Sequence, residues 1–127
     1  MIVRKDRSTE INSHLYDFDL PEHVIMINDW APISSTSWNA EFQHYEGYLL
    51  KKSFLINGKG FNNLNPDSPE TPLEKLKVKP GKKYRFRLID IGVYFCPKRF
   101  SIDGHNMTII SIDGNPIEPV EVESIVT

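Results

Sequence analysis

Four histidines and one cysteine have the widest chemical range in this chain: His14, His23, His44, His105 and Cys96. No two of the histidines stand one residue apart, so no short stretch offers a pair of imidazoles to one ion. Cys96, His105 and Met107 come nearest to a soft-metal set. A mononuclear electron-transfer copper takes two imidazoles, a thiolate and often a weak thioether. Cys96 precedes His105 by nine positions, and Met107 follows at once, a spacing that disfavours such a site. A lone cysteine can close no disulfide within the chain and build no thiolate cluster. Its plain role is a buried thiol; a bond to another polypeptide segment is the alternative. His105 falls in a turn, where side chains bond neighbouring backbone. His23, beside Glu22 at the head of a strand, reads as a surface or interface residue. Asn106-Met107-Thr108 is the one N-glycosylation sequon, in a hairpin tip expected to be exposed.

The elements that would hold these residues are strands. Pro80-Gly81 turns the chain into a strand with Tyr84, Phe86 and Leu88 on one face and Arg85 and Arg87 on the solvent face. Phe100 and Ile102 lead into Asp103-Gly104, read as a hairpin turn returning through Thr108 to Ile112. Asp113-Gly114-Asn115-Pro116 turns again, and a further strand runs through Val120, Val122 and Ile125. Glu22 to Trp30 is a strand with both faces apolar near its middle, which suits a central position. Tyr48 to Ile56 is a strand ending in the turn dipeptide Asn57-Gly58. Phe61 to Pro72 is a loop, and Leu73 to Lys79 is a strand with its lysines on one side. Ile2-Val3 resembles the end of a strand, and Asp6 to Asp19 a surface connection. Only Pro32 to Gln43 could carry a short helix, although its serine run forms helix poorly. Seven short strand signals with almost no helix predict an all-β Greek-key sandwich; a small β-barrel is the competing shape.

Composition narrows the function. The 127 residues suffice for one domain with a core. With 39% hydrophobic and 25% charged residues, the chain is globular rather than disordered. A formal net charge of −2 gives no field favouring nucleic acid or an anionic membrane. The basic stretch Lys79 to Arg87 reads as the solvent face of a strand rather than a polyanion site. No apolar run approaches the length of a membrane span, and the charged N-terminus has no signal-peptide h-region.

In their order, these segments resemble the second, middle cupredoxin domain of a laccase-type multicopper oxidase of the animal and fungal branch. The likeness rests on Leu15 to Trp30, Phe54 to Gly60 with its Asn57-Gly58, Tyr84 to Ile89, and Ser101 to Ile110 followed by Asp113-Gly114. It implies a cupredoxin-like Greek-key sandwich over residues 21–127, with residues 1–20 as the end of a preceding domain and a connection. Family members continue past Ser124-Ile125 into a closing strand, so the sandwich is expected to lack it.

The resemblance also implies copper in the parent, with ligands outside this chain, and hence no catalytic, cofactor-binding or metal residue within it. Phenolic small-molecule reductants would bind at the domain interface, dioxygen would be reduced to water, and the flanking cupredoxin domains would be the partners. Cys96 matches a cysteine that fungal relatives bond to their first domain. Pro97 replaces the carboxylate that follows it there, so the phenol anchor does not carry over. Family resemblance implies a secreted protein. The alternative function is a free-standing β-sandwich binding module using Trp30, Trp38, Tyr45 and Tyr48 for a protein or carbohydrate. A small copper carrier is disfavoured by the ligand spacing.

Overall fold

The structure is a computed structural model and describes residues 2–30, 34–44, 53–60, 72–92 and 97–127. Cys96, Tyr45, Tyr48, the first residues of the Tyr48–Ile56 strand expectation and most of the 61–72 loop expectation lie outside them, as does the Trp38 side chain. The chain divides into two compact units. One comprises Met1–His23, Val78–Arg85 and Phe95–Thr127; the other Val24–Lys77 and Phe86–Tyr94.

The second unit is built on strand β1, Val24–Trp30. It lies between β2, Ser53–Ile56, and β3, Arg87–Asp90, in a three-stranded sheet. Its central position is the one its sequence predicts. β2 runs antiparallel to β1, with Ile27 opposite Ile56 and Trp30 opposite Ser53. β3 runs parallel, with Val24 opposite Arg87 and Ile27 opposite Asp90. Alternate residues of a strand share a face, and Ile25 and Ile27 are the buried ones here.

β2 ends in a turn at Asn57 (φ 52°) and Gly58 (φ 76°), and Ile56 and Lys59 then exchange both backbone hydrogen bonds, at 2.8 and 2.9 Å. Positive φ at both central residues is the primed hairpin turn that Asn-Gly favours. Gly60 follows under constraint, since a Cβ there would strike the Phe54 carbonyl oxygen and come within 2.7 Å of Leu55 Cδ2.

Helix α1 spans Ser35–His44. The serine run that weakens helix propensity also starts the helix: the Ser37 amide donates to Ser34 Oγ at 3.2 Å. A hydroxyl before the first helical residue that takes up the amide three residues on is an N-cap.

The first unit contains two ladders. β4, Arg99–Ser101, pairs antiparallel with β7, Ser124–Val126. β5, Met107–Ile112, pairs antiparallel with β6, Asn115–Val122, through a primed turn at Asp113 (φ 48°) and Gly114 (φ 79°). The predicted return from Phe100 to Thr108 is therefore not a hairpin. A single bridge, Ile102 to His105, closes the Asp103-Gly104 turn, and each strand then takes a different neighbour.

The β5–β6 register breaks between Ile109 and Ser111, opposite a stretch of β6 that holds Pro116 and Pro119. Proline has no amide to donate, which interrupts a ladder. The buried Asn12 side chain fills the gap, donating to the carbonyls of Ile110 at 2.8 Å and Ile117 at 3.0 Å.

Two further strand expectations fail. Among the described residues, 72–79 lie in no ladder, and Ile2-Val3 is exposed and in no strand. Tyr84 meets Phe18 in an isolated parallel bridge rather than starting β3. Among the described residues, seven strands against one α-helix make the chain all-β.

Candidate functional site

A polar cluster links the N-terminal segment to Arg85 within the first unit. Asp17 and Phe18 both donate their amides to the Lys83 carbonyl, at 2.8 and 3.2 Å, and Arg85 returns an amide bond to Phe18 at 2.9 Å. This short parallel contact stacks Phe18 on Tyr84, with ring centroids 5.2 Å apart. It also brings Arg85 beside Glu10 and Tyr16.

Arg85 Nη1 donates to Glu10 Oε1, and Tyr16 Oη donates to Glu10 Oε2. Asp19 lies 3.8 Å from the same guanidinium and 3.5 Å from Arg4. Arg7 donates to the carbonyls of Asp17 at 2.9 Å, of Ser13 at 3.2 Å and of Tyr16. The guanidinium carbons of Arg7 and Arg85 lie 5.2 and 5.5 Å from the Tyr16 ring centre, within cation–π range.

The Arg85 side chain is 11% exposed and that of Glu10 15%. Sequence alternation put Arg85 on the solvent face; the structure corrects this. Residues 10–19 fold over it, so its charge is neutralised inside the unit. Period-2 reading treats Arg as polar and outward, and Glu10 is 75 residues away, beyond any local pattern.

Burial pushes the Glu10 carboxyl upward, but the hydrogen bonds from Tyr16 and Arg85 and the guanidinium charge outweigh it. The net pKa lies below the ordinary 4.5. Burial and the bond to Glu10 raise the Tyr16 phenol above its usual value, keeping it a donor. Arg85 loses by burial and gains more from Glu10 and Tyr16, so it too is raised. A carboxylate depressed on folding contributes stability above its unfolded pKa and loses it as pH falls through the folded one. The chain should therefore lose stability below about pH 4.5, and Glu10→Gln should flatten that acid limb while lowering stability at neutral pH. Urea unfolding of both proteins from pH 3 to 7 checks this, and parallel acid limbs would refute it. Asp6, bonded by Ser8, and Glu74, bonded by Lys59 and Asn57, are depressed in the same direction and remain in both proteins.

His14, His23 and His105 each lie against a different neighbour. His14 Nδ1 lies 3.2 Å from the Ile11 carbonyl, and His105 Nδ1 lies 2.9 Å from the Asp103 carbonyl. The expectation that His105 bonds its own turn is met. His44 ends helix α1 in the other unit. His23, which the sequence suggests as a surface or interface residue, is only 1% exposed within the chain itself. Its amide bonds Leu20 at 3.1 Å in a 3-10 turn, Pro21–His23, and the imidazole stands edge-on to Tyr84 at 4.9 Å. The turn rolls the ring inward, which strand periodicity alone does not anticipate.

Among the described residues, no group of three or more His, Cys, Asp or Glu side chains is arranged to hold a metal ion. Among the described residues, His14 and His105 lie against backbone carbonyls and His23 against the Tyr84 ring, an arrangement that does not fit a copper centre. Asp90 is exposed and accepts the Gly92 amide at 2.8 Å, a local turn contact. Of the basic stretch expected to be the solvent face of a strand, Lys79, Lys82 and Lys83 are exposed around the Gly81 turn and outside any strand, while Arg85 and Arg87 are half-buried. No helix among the described residues is long and apolar enough to cross a membrane.

Asn106 and Thr108 are exposed at the start of β5, and Asn106 Nδ2 donates to Glu121 Oε1 at 2.7 Å. Of the aromatics offered for binding, Trp30 is 60% exposed.

The sequence model of the multicopper oxidase family matches residues 21–126. The chain is 38% identical over 115 residues to Laccase-2 of Agaricus bisporus, covering 88% of this chain and 21% of that protein. It is 40% identical over 113 residues to Laccase-1 of Trametes villosa, covering 87% and 19%. A solved laccase from B.aclada superposes with a TM-score of 0.66 at 29% identity, over 82% of this chain and 20% of that one. The likeness supports the cupredoxin-type β-sandwich expected from sequence. The chain spans about a fifth of the length of the laccases it matches. The clasp at Arg85, the Asn-Gly and Asp-Gly turns and the mixed sheet are thus features of a chain that belongs to the multicopper oxidase family.

Proposed function

We propose that this chain is the middle cupredoxin-like domain of a laccase-like oxidase. In this reading it spaces two copper-bearing domains and forms a wall of the cleft where phenolic reductants bind. Residues 1–20 are the tail of a preceding domain with its connection, and residues 21–127 the domain proper. Copper and the oxygen chemistry belong to the flanking domains, Cys96 is bonded to one of them, and the parent is secreted.

One observation carries the reading: large apolar side chains stand exposed on both faces of one ladder. Trp30 is 60% exposed and Phe54 56%, and they sit on opposite faces, since Phe54 pairs with Asp29 and Trp30 with Ser53. Exposed apolar patches of this kind mark surfaces that another body covers. About four-fifths of each laccase relative lies outside the matched segment and is available to do so.

The purified chain, given copper and a phenol, should take up oxygen no faster than copper and phenol alone. Turnover by the chain itself overturns the assignment. The coding sequence on either side should carry His-x-His elements; flanks without them would favour the free-standing module.

A further inference from the structure

We propose that residues 10–19 are a ligand as well as a connection: a peptide seated in a binding site of this same chain, which a separate copy of that peptide can occupy. Three sets of contacts define the site, all within the first unit. Asn12 is 4% exposed, and its side-chain amide donates to the carbonyls of Ile110 and Ile117, 98 and 105 residues on in sequence. Both carbonyls lie where the β5–β6 register breaks. Asp17 and Phe18 donate their amides to the Lys83 carbonyl, the Arg85 amide donates to the Phe18 carbonyl, and the Asp17 carboxylate accepts the Lys83 amide at 2.9 Å. Arg85 holds the Glu10 carboxylate and also reaches Tyr16 Oη at 3.4 Å; Tyr16 is itself only 6% exposed.

Peptide recognition at a sheet divides its work in this way: backbone bonds supply affinity, and side chains choose the sequence. The sequence chosen here is Glu-x-Asn-x-x-x-Tyr-Asp-Phe, an acidic and aromatic peptide read by one guanidinium and two carbonyls. The segment also carries its own shape. The amides of Ser13 and Leu15 bond back to the carbonyls of Glu10 and Asn12, each at 3.1 Å, and Arg7 donates to the carbonyls of Ser13, Tyr16 and Asp17. Internal bonds of this kind lower the ordering cost of binding. The match to the family model begins at residue 21, downstream of the whole segment. On this inference the folded unit starts at Glu10, whatever the parent protein does.

The test keeps the full chain and weakens only the segment. With Asn12→Ala and Tyr16→Ala in place, the chain should bind a labelled synthetic peptide of residues 6–20, read by fluorescence anisotropy. The unsubstituted chain should bind it at least about tenfold more weakly, because its own segment occupies the site at high effective concentration. A peptide carrying Asn12→Ala should lose about tenfold in affinity, having given up two hydrogen bonds. Where the double substitution unfolds the chain, the peptide should restore cooperative melting, since a ligand of the native state stabilises it. A peptide that neither binds the variant nor restores it overturns the proposal. Equal binding to both chains does so too, by placing the peptide elsewhere. Hydrogen exchange of the unsubstituted chain supplies a second measurement. The Asp17 and Phe18 amides should be protected as strongly as those of β5, and exchange at the rate of an unstructured peptide would reduce the segment to a loose connection and overturn the proposal.

Discussion

Arg85→Met is expected to lower the unfolding free energy of the chain by about 2–3 kcal/mol, between the loss for an exposed ion pair and that for a fully buried one. The substitution keeps most of the apolar stem and deletes the guanidinium. Among the described residues Glu10 then keeps the Tyr16 hydroxyl alone, and Asp19 loses a cation at 3.8 Å. The Tyr16 ring also loses one of its two cation contacts. Burial governs the size of the effect, because the same pair at the surface would contribute less than about 1 kcal/mol. Removing both charges together should be milder than the sum of the parts, since no unpaired charge remains. Arg85→Met with Glu10→Gln should thus show a coupling of about 1–3 kcal/mol in a double-mutant cycle. Urea unfolding followed by tryptophan fluorescence measures all four corners. A loss below about 1 kcal/mol for Arg85→Met would mean the pair behaves as a surface contact.

What the sequence makes legible is what local chemistry decides. Asn57-Gly58 and Asp113-Gly114 are turns because both positions need positive φ, and these dipeptides supply it. β1 is readable because Val24 to Ile27 is a short, largely β-branched apolar run, which suits a strand with neighbours on both sides. The elements that sequence reading mistakes are decided at long range. Leu73 to Lys79 alternates like a strand, yet it lies in no ladder; instead Glu74 reaches Lys59 at 2.5 Å and Asn57 at 3.3 Å. Phe100 and Thr108 flank a good turn, but β4 takes β7 and β5 takes β6, and a turn signal cannot name the neighbour. Arg85 looks outward until residues 10–19 close over it. The helix start at Ser34 shows the opposite error, where propensity scores the serines as weak and ignores what one hydroxyl does as a cap. Of the candidate site residues, the turn role of His105 and the exposure of Asn106 follow from their turn; the burial of His23 depends on Tyr84, 61 residues away in sequence.

Asn57→Ala should destabilise the chain by about 3 kcal/mol, through two separable causes. The side chain ties three segments together: Nδ2 donates to the Val24 carbonyl at 3.0 Å, Oδ1 accepts the Met26 amide at 2.9 Å, and Nδ2 reaches Glu74 at 3.3 Å. Truncation leaves β1 backbone groups without these bonds, at about 1 kcal/mol each. The second cause is conformational. Asn57 holds φ at 52°, where a Cβ is strained and asparagine suffers less than alanine. Asn57→Gly separates the two, removing the bonds while relieving the strain, and should lose about 1 kcal/mol less than Asn57→Ala. Equal losses would show that backbone strain contributes nothing, and an unchanged Asn57→Gly would show the same of the bonds. Asn57→Asp adds a sign to the test. It keeps an acceptor for Met26 but turns a carboxylate toward the Val24 carbonyl and the Glu74 carboxylate. Like charges raise a carboxyl pKa, and a raised folded pKa gives stability that grows on acidification. Asn57→Asp should therefore be weakest at neutral pH and regain ground as pH falls toward about 4, opposite to the trend expected from Glu10. A variant that weakens on acidification as the parent does would place the introduced carboxylate in water, away from Glu74.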